Sequence, residues 1–374
     1  MKIGIDAKWY FEGNPSGKRV VKNLVDYLLK IDDKNQYVIF LDRRHKKEPF
    51  PIKEGRNLKL CYVWAGINGL SNIFVLPFYT NRYKVDATLY QTYISPFDKG
   101  KKIAYIHDIL YLSNPEFYTF IERVYFSPVK YLIKLASAII TVSNEEKRRL
   151  LHYNHSRDPD KIVVAYHGVD PSFAPRANQS ATVLEEVKRK FNLPDQFLLY
   201  VGRLNLRKNL DNLVRAISLL KNTKIPLVIV GGEDLKKTNH IKIIRRLGIE
   251  SRIHSTGAVY KDLNIIYSLA TLFCFPSHAE SFGLPPLEAM ASGVPVVVSN
   301  TTSLPEICGD AGNYVNPESP EDIAFVIDNL LINDQLYQQK KQLGLVQSKK
   351  YTWEQSAQTT LECIESCMRK KVNG

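Results

Sequence analysis

Two glutamates, Glu280 and Glu288, flank a short loop whose composition suits a negatively charged ligand. The loop follows the apolar run LFCFPS and leads into a helix that two prolines can start, because first-turn amides have no intrahelical acceptor to lose. Gly283 has no side chain, so the backbone can approach a ligand closely there. The amides predicted to face an anion at this helix N-terminus belong to Phe282, Gly283 and Leu284. The E-x7-E spacing alone also fits an ordinary surface loop.

A second candidate is the basic loop GRLNLRKN, which follows the predicted strand Phe197–Val201. Arg203 and Lys208 lie at the carboxyl end of this strand, just ahead of a predicted helix. Arginine can hold a diphosphate through two parallel hydrogen bonds, and lysine holds it as a point charge. Arg207 lies between them and is expected to face solvent. Taken alone, the loop is equally compatible with a solvated basic turn.

Two residues of the N-terminal half also follow predicted strands. His107 ends the run KKIAYIH, where it is placed to face a ligand, although a histidine hydrogen-bonded in a structural turn is the alternative. Gly17 closes a loop after the first strand and opens a helix, which is the position for phosphate approach. The loop matches neither the Walker A nor the G-x-G-x-x-G spacing, so a plain turn stays open.

Length and charge narrow the class of protein. The chain has 374 residues, which predicts two domains. Its formal net charge of +13 is uneven, because residues 1–175 carry 27 Lys/Arg against 18 Asp/Glu. This basic half suggests an acidic partner, such as a phosphorylated substrate or an anionic membrane surface. No run of more than three basic residues occurs, so we expect no nucleic-acid partner.

The sequence predicts a cytoplasmic protein without a metal ion. No run of about 18 apolar residues suggests a membrane-spanning helix, and MKIGIDAKWY is predicted to be a strand rather than a signal peptide. The five cysteines have no metal-binding spacing and no disulfide framework, which suits a reducing cytosol. Asp158-Pro-Asp160 is interpreted as a turn, and no metal is assigned to it.

Predicted strands alternate with helices in both halves of the chain. The strands of the first half are Lys2–Asp6, Tyr37–Leu41, Leu58–Val63, Ala87–Gln91, Lys102–His107, Ala138–Val142 and Ile162–Ala165. Its predicted helices are about Gly17–Ile31 and roughly Phe117–Lys134. The pattern restarts after a linker near Pro171–Ala181, with strands Phe197–Val201, Leu227–Gly231 and Ile253–Thr256. Such alternation predicts two doubly wound parallel sheets.

Nearly the whole chain resembles the retaining glycosyltransferases of family 4. The stretches that carry the resemblance are GIDAKWY, IHDILYL, TVSNEEKRRL, HGVD, YVGRLNLRKNLDNLVRA, FPSHAESFGLPPLEAMASGVPVV and the terminal YTWEQSA. The resemblance implies the α/β GT-B fold, in which two Rossmann-like domains face an interdomain cleft. We expect residues 1–174 to bind the acceptor and residues 175–353 to bind the nucleotide sugar. A C-terminal helix at about 354–374 is expected to pack back on the first domain.

The resemblance also implies a role for each candidate residue at the reaction centre. Glu280 would bind hydroxyls of the donor sugar, and His107 would lie beside that sugar. Arg203 and Lys208 would stabilise the diphosphate as negative charge grows on the leaving group.

The remaining candidates would bind the donor. Glu288 would bind the ribose hydroxyls, and Val259 would contact the nucleobase through its backbone. The amides of residues 282–284 would contact the sugar and the diphosphate. Gly17 would lie near the diphosphate or the acceptor, although its loop, PSGKR, departs from the glycine-rich pattern of the family. No cofactor or metal is implied.

The reaction implied is transfer of a hexose from a nucleotide diphosphate sugar to a hydroxyl of a glycan or lipid-linked glycan, in cell-surface polysaccharide synthesis. We favour UDP-glucose as the donor over GDP-mannose. No residue stands out as an enzymatic nucleophile, which fits a front-face substitution with retention. The alternatives are a nucleotide-sugar epimerase or a phosphorylase on the same fold, and a basic nucleotide- or nucleic-acid-binding protein without catalysis.

Peripheral contact with an anionic membrane is a further hypothesis. It depends on the basic N-terminal half and on the aromatic segment near Phe117–Tyr131. The alternative is that this segment is a helix of the core.

Overall fold

A computed structural model describes residues 1–221, 224–232 and 235–369, and it divides the chain into two compact units. Unit 1 comprises Met1–Gly168 together with the chain from Thr352 onward, and unit 2 comprises Val169–Tyr351. The predicted boundary between residues 174 and 175 lies a few residues after the observed one. Residues 370–374 of the predicted C-terminal helix lie outside the described residues.

Within the described residues, unit 1 contains one seven-stranded sheet in which all neighbouring strands are parallel. Its strands are β1 (Lys2–Asp6), β2 (Gln36–Asp42), β3 (Leu58–Val63), β4 (Ala87–Gln91), β5 (Lys101–Ile106), β6 (Ala138–Thr141) and β7 (Ile162–Val164). Their order is β3-β2-β1-β4-β5-β6-β7, so it reverses between β1 and β4. In doubly wound sheets, ligands bind at the carboxyl ends of the strands beside such a reversal.

Unit 2 repeats this plan with a six-stranded parallel sheet in its described part. Its strands are β8 (Leu198–Val201), β9 (Leu227–Val230), β10 (Ile253–Gly257), β11 (Leu272–Phe275), β12 (Val296–Ser299) and β13 (Gly312–Val315). Their order is β10-β9-β8-β11-β12-β13, and it reverses between β8 and β11. The prediction of two doubly wound parallel sheets is confirmed. The predicted strands differ from the observed ones by no more than one residue at either end.

Helices cover the sheets of both units. The α-helices are α1 (Pro15–Ile31), α2 (Asn68–Leu70), α3 (Leu76–Arg82), α4 (Leu110–Ser113), α5 (Phe120–Phe126), α6 (Val129–Leu132), α7 (Asn144–His152), α8 (Ala181–Lys190), α9 (Leu210–Leu219), α10 (His240–Leu247), α11 (Leu263–Leu269), α12 (Leu284–Ala291), α13 (Leu304–Cys308), α14 (Pro320–Ile332), α15 (Asp334–Ser348) and α16 (Trp353–Arg369). A π-helical turn, Ser71–Val75, joins α2 to α3. The strands between the helices are apolar runs such as LFCF in β11, since both faces of a parallel sheet are covered.

The predicted single helix at Phe117–Lys134 is wrong. Tyr118 is extended, and a new helix, α5, begins after Thr119. Thr119 and Glu122 form a reciprocal capping box that fixes this start. Pro128 has no backbone N–H to continue the helical ladder, and it separates α5 from α6.

The C-terminal helix α16 belongs to unit 1 and packs against α1 and against β5 and β6. Trp353 at its start is buried, and its ring lies 5.5 Å from that of His167. The helix α16 therefore completes the core of unit 1, although unit 2 lies between α16 and the rest of unit 1 in the sequence.

The described helices are all too short or too polar to cross a lipid bilayer. All five cysteines are buried.

Candidate functional site

The basic loop of unit 2 leaves the sheet at the carboxyl end of β8 and is fixed by two asparagines. Asn205 caps the turn Leu206–Lys208, because its side chain accepts a hydrogen bond from the Lys208 amide. Asn209 has a positive φ of 55°, and its amide nitrogen donates to Pro276 O at 2.8 Å and to Pro317 O at 2.7 Å. This fastens the basic loop to the loop that follows β11, on the other side of the reversal in strand order.

Glu280 lies in that second loop and binds three side chains. Lys208 Nζ donates to Glu280 Oε1 at 2.6 Å, and Arg207 Nη1 donates to Oε2 at 3.1 Å. Ser277 Oγ donates to the same Oε1 at 2.6 Å. The Lys208 ammonium also lies 4.7 Å from the centre of the Phe275 ring, which gives a cation–π contact. The carboxylate of Glu280 and the cations of Lys208 and Arg207 are thus held together between the loops that follow β8 and β11.

The charges of this cluster decide what it can bind. Burial alone would raise the pKa of Glu280, but the adjacent Lys208 and Arg207 charges hold it at about 2. Burial lowers the pKa of Lys208 to about 8, against the opposing effect of Glu280. At neutral pH Glu280 is therefore ionised and Lys208 is predominantly so. One carboxylate facing two cations leaves net positive charge for an anionic ligand.

The expected orientation of Arg207 is wrong. Its side chain is only 12% exposed and donates to Ala279 O at 2.5 Å as well as to Glu280. Arg203 is the exposed arginine of the loop, and its carbonyl accepts from Tyr200 Oη at 3.1 Å. In the one-turn helix Leu206–Lys208, the side chains of Arg207 and Lys208 both reach the carboxylate of Glu280. The spacing of residues in the loop did not predict this.

The loop after Glu280 leads into α12 at a glycine. Gly283 is the N-cap with φ 113°, and a Cβ there would lie 2.7 Å from Leu304 Cδ2, so only glycine fits. No side chain caps this helix, and Pro285 and Pro286 occupy its first turn. Phe282 and Leu284 are buried beside the N-cap.

Glu288 is buried in the second turn of α12. Val259 is also buried, two residues after the end of β10. Both residues belong to unit 2, as do Glu280, Lys208 and Arg203. Apart from Gly17, the donor-binding residues predicted from the sequence therefore lie in one compact unit, on the loops and helix that follow its parallel strands.

His107 lies in unit 1, directly after β5. Its Nε2 lies 2.8 Å from Gln91 Oε1, at the end of β4. Its ring contacts Tyr105, Trp9 and His167, with centroid separations of 5.0, 6.0 and 6.3 Å. Burial lowers the pKa of His107 to about 4 although Asp108 and Asp6 oppose this. The imidazole is therefore neutral at physiological pH.

A buried glutamate holds the backbone after His107. Glu146, at the start of α7, accepts from the Ile109 amide at 2.6 Å and from Arg149 Nη1 at 2.6 Å. Burial raises the pKa of Glu146 to about 7, partly offset by the Arg149 charge. The His107 loop is thereby tied to the helix that follows the next strand.

Gly17 is not available to an anion in the way the sequence suggested. It is buried in the first turn of α1, and its amide donates to Asn14 Oδ1 at 2.7 Å. A Cβ at Gly17 would lie 3.1 Å from Trp9 Cε3, so the glycine allows the indole ring to pack against the backbone. Because Trp9 also contacts His107, it brings the two predicted residues of unit 1 together.

Sequence reasoning missed a buried polar cluster at the carboxyl end of β1. Lys8 Nζ donates to Asp6 Oδ1 at 2.5 Å and also to Asn72, and all three side chains are buried. Burial lowers the pKa of Lys8, although Asp6 opposes this. Asp6 ends the predicted strand Lys2–Asp6 and Lys8 lies two residues beyond it, so the argument applied to His107 would have found them.

Two clusters of acidic residues contain possible metal ligands. Asp158 caps the turn Pro159–Lys161 by accepting from the Asp160 amide at 2.9 Å, so the predicted turn is present. Among the described residues, Glu12, Asp42 and His45 bring potential ligand atoms together. Arg44 Nη2 already lies 3.0 Å from Glu12 and 2.6 Å from Asp42, and neither group lies among the candidate residues described above.

Two family models match the chain and together span most of it. Residues 17–173 match the model described as Glycosyltransferase Family 4. Residues 184–344 match the model described as Glycosyl transferases group 1. The first match lies in unit 1, apart from its last residues, and the second lies wholly in unit 2.

Curated relatives share about a third of their residues with this chain where they align. The O-antigen chain mannosyltransferase B of Escherichia coli is 32% identical over 278 residues, which cover 72% of this chain and 71% of that protein. The serotype-specific mannosyltransferase WbdA of Escherichia coli is 32% identical over 282 residues, which cover 70% of this chain. The aligned region is only 33% of WbdA, so this chain spans about a third of that relative's length.

Solved structures match over almost the whole chain. A sucrose-phosphate synthase from Thermosynechococcus elongatus has a TM-score of 0.78 at 19% identity, covering 99% of this chain and all of that one. HepE of Anabaena, solved in complex with UDP-glucose, has a TM-score of 0.73 at 17% identity, covering 98% of this chain and all of that one. At these identities the likeness concerns the fold alone.

Proposed function

This chain belongs to the glycosyltransferases of group 1 and family 4, with the GT-B fold, and from this premise we propose that it transfers a hexose from a nucleotide diphosphate sugar to a hydroxyl of a glycan or lipid-linked glycan. The observation that carries the proposal is the buried cluster of Lys208, Arg207 and Glu280 next to the N-terminus of α12. In this proposal the glycan belongs to a cell-surface polysaccharide, because one relative described above is named an O-antigen chain mannosyltransferase and the other a serotype-specific mannosyltransferase.

The roles of the donor-side residues follow from their chemistry. Lys208 and Arg203 stabilise the diphosphate as the bond to the sugar breaks and charge grows on the leaving group. Glu280 has oxygens that accept from sugar hydroxyls while Lys208 and Arg207 keep it ionised. Glu288 accepts from the ribose hydroxyls, and the backbone of Val259 contacts the base. The amides of residues 282–284 bind the sugar and diphosphate at the start of α12.

Retention at the anomeric carbon is part of the proposal. The carboxylate nearest the cations, Glu280, is paired with Lys208 and Arg207 and is a poor nucleophile for that reason. A front-face substitution, in which the leaving phosphate accepts the proton of the acceptor hydroxyl, needs no enzymatic nucleophile. Positioning and electrostatic stabilisation then supply most of the rate. The proposal requires no metal, because the cations of unit 2 take over the role of balancing the diphosphate charge.

GDP-mannose is the donor that we propose first, with UDP-glucose second. UDP-glucose is the donor preferred from the sequence, although no residue fixes it, and HepE, a structural neighbour, was solved with that ligand. The relatives at about 32% identity are named mannosyltransferases, and sequence identity of this level is more informative about the sugar than a likeness of fold.

A thermal-shift panel of nucleotides and nucleotide sugars tests both the proposal and the order of donors. At about 100 times Kd a ligand stabilises the native state by about 2.7 kcal/mol, which corresponds to a rise in Tm of about 5–10 °C for a domain of this size. We expect that rise with GDP-mannose and GDP, and a smaller rise with UDP-glucose. Lys208→Ala should abolish it, whereas Lys242→Ala, at an exposed lysine of α10, should not. A panel without any response to guanine or uracil nucleotides contradicts the proposal.

Peripheral binding to an anionic membrane is the second part of the proposal. Of the twenty exposed large hydrophobic side chains among the described residues, twelve lie between Trp64 and Leu135 in unit 1. Tyr93 lies near two parts of this range: a Cβ at Gly69 would lie 3.3 Å from Tyr93 Cε1, and the Tyr93 and Tyr125 ring centroids are 5.4 Å apart. Soluble proteins rarely expose apolar patches of this extent without a binding partner.

Charge favours a membrane as that partner. Arg123, Lys130 and Lys134 are exposed within the same segment as the apolar residues of α5. The acid of this segment, Glu122, is engaged in the capping box with Thr119. A second copy of the chain docked symmetrically would bring the same cations together. Anionic headgroups would instead neutralise them while the aromatic side chains enter the interface.

Co-sedimentation with phosphatidylcholine vesicles, with and without phosphatidylglycerol, tests this part. We expect salt-sensitive binding to the anionic vesicles. The double variant Phe120→Ser/Ile121→Ser should weaken it about tenfold or more, because burying one large apolar side chain is worth about 1.5–3 kcal/mol. Phe325→Ser is the matched control, since Phe325 in unit 2 is 70% exposed and Phe120 is 72% exposed. Equal binding by both variants, or none by the wild type, would remove the membrane from the proposal.

A further inference from the structure

Three departures from regular structure meet beside His107 in unit 1. Asn72 lies in the π-helical turn Ser71–Val75. Thr92, a β-branched residue directly after β4, has a φ of +69°. The side-chain nitrogen of Gln91 is buried and has no acceptor among the described residues. Each of these features costs stability, and such features accumulate where a protein must hold a functional group in place.

Asn72 holds the strained turn together. Its amide nitrogen lies 3.2 Å from Gln91 O and 3.1 Å from Tyr93 O, the carbonyls on either side of Thr92. The same nitrogen donates to Asp6 Oδ2 at 2.8 Å, and the Asn72 carbonyl oxygen accepts from Lys8. The buried ion pair at the end of β1 therefore fixes the side chain that fixes the turn after β4.

The turn at Thr92 orients the Gln91 side chain towards the imidazole of His107. Gln91 Oε1 lies 2.8 Å from His107 Nε2, and an amide oxygen only accepts hydrogen bonds. With the Gln91 oxygen facing the ring, the proton of the neutral imidazole is placed on Nε2, which leaves Nδ1 as an acceptor. The rings of Trp9 and Tyr105 pack against the imidazole, so it cannot turn freely away from Gln91.

We propose that Gln91 is a positioning residue, which fixes His107 in the neutral form protonated on Nε2 and so presents Nδ1 to a hydroxyl of the sugar substrate. The presentation to a sugar depends on the function proposed above, whereas the protonation state of the imidazole does not. Asp6, Lys8 and Asn72 act through Gln91 and hold it in the required orientation.

The Tm of a Gln91 variant distinguishes a positioning role from a structural one. If Gln91 supported the fold, replacing it would lower Tm. The buried side-chain nitrogen leaves its N–H groups unpaired, and burying such a group without a partner is unfavourable. Gln91→Met has nearly the same length and no unpaired donor. We therefore expect Gln91→Met to leave Tm unchanged or raise it, while kcat/KM falls about 10- to 100-fold, the usual range for losing a residue that orients another.

The decisive measurement is the 15N NMR spectrum of the full chain labelled at histidine, without substrate. The His107 signals are identified by their loss in His107→Phe. In the wild type we expect a protonated Nε2 and a bare Nδ1. Gln91→Met should give a mixture of the two neutral forms. Gln91→Glu, which keeps an acceptor oxygen, should retain the proton on Nε2. Gln355→Met, at an exposed glutamine of α16, should leave the His107 signals unchanged.

A wild-type imidazole protonated on Nδ1, or the same His107 spectrum in Gln91→Met, would overturn the proposal. So would a large loss of Tm in Gln91→Met, because it would show that the amide supports the fold. The expected spectra in a protein that binds no nucleotide sugar would instead refute the proposed function while supporting the role of Gln91. The two failures are thus distinguishable.

Discussion

Lys208→Ala is expected to lower kcat by at least about 100-fold, the scale of losing one preorganised donor to a developing negative charge. Lys208 Nζ is held by Glu280 Oε1 at 2.6 Å and lies over the Phe275 ring, so the ammonium is already oriented before a ligand arrives. No rearrangement is then needed when charge grows on the diphosphate. We expect a comparable loss for Arg203→Ala, although that side chain is exposed.

Steady-state kinetics with the donor identified by thermal shift measure this effect, and Lys242→Ala is the control for removing a lysine of unit 2. The pH profile gives an independent check on the wild type. Because burial lowers the pKa of Lys208 to about 8, kcat/KM should fall as pH rises through that value and the ammonium loses its proton. Near wild-type turnover in Lys208→Ala or Arg203→Ala would refute the assignment of that residue.

Glu280→Ala is expected to reduce both stability and activity. Removing the carboxylate leaves Lys208 and Arg207 buried without their counter-charge, and breaking a buried pair in this way costs about 3–5 kcal/mol of unfolding free energy. The sugar hydroxyls lose their acceptor as well, so kcat/KM should fall by at least about 100-fold in the protein that remains folded.

A double variant tests how much the ion pair of Glu280 with Lys208 contributes to stability. Lys208→Met/Glu280→Leu replaces the buried ion pair by apolar groups, which is often neutral or stabilising. We expect urea denaturation to show part of the stability restored, because Arg207 still lacks its counter-charge, and the assay to show no activity. Glu186→Ala, at an exposed glutamate of α8, controls for loss of a carboxylate elsewhere in unit 2. Recovery of activity in the double variant would refute the catalytic roles of both Lys208 and Glu280.

The architecture could be predicted from the sequence because each strand is a short apolar run between polar segments. In a parallel sheet covered on both faces, such runs as KIGID and LFCF have little alternative. The segment Phe117–Lys134 was misjudged for a related reason. Its apolar residues are spaced as in a helix, but those of α5 are largely exposed, and the capping box at Thr119 and the break at Pro128 divide the segment.

The candidate site was predictable only as far as side chains follow strand ends. That argument found His107, Lys208 and Glu280, each on a loop at the carboxyl edge of a sheet. It could not find Arg207 as a partner of Glu280, because the direction of a side chain in a one-turn helix depends on how Asn205 and Asn209 fasten the loop. The contact of Gln91 with His107 could not be predicted for a similar reason, since the orientation of Gln91 depends on a turn held by Asn72.

The interrupted sequence of unit 1 has a consequence for the order in which the protein forms during translation. Unit 2 is continuous from Val169 to Tyr351, so a ribosome delivers all of it before Thr352 appears. The groove that receives α16 beside α1 and β6 must therefore stay uncovered while the second half of the chain is made. Gly168, whose missing Cβ would lie 2.1 Å from Trp353 N, marks where the returning segment finally closes against the first. Nascent chains would thus complete the later-made unit first and need protection of unit 1's apolar groove until synthesis ends.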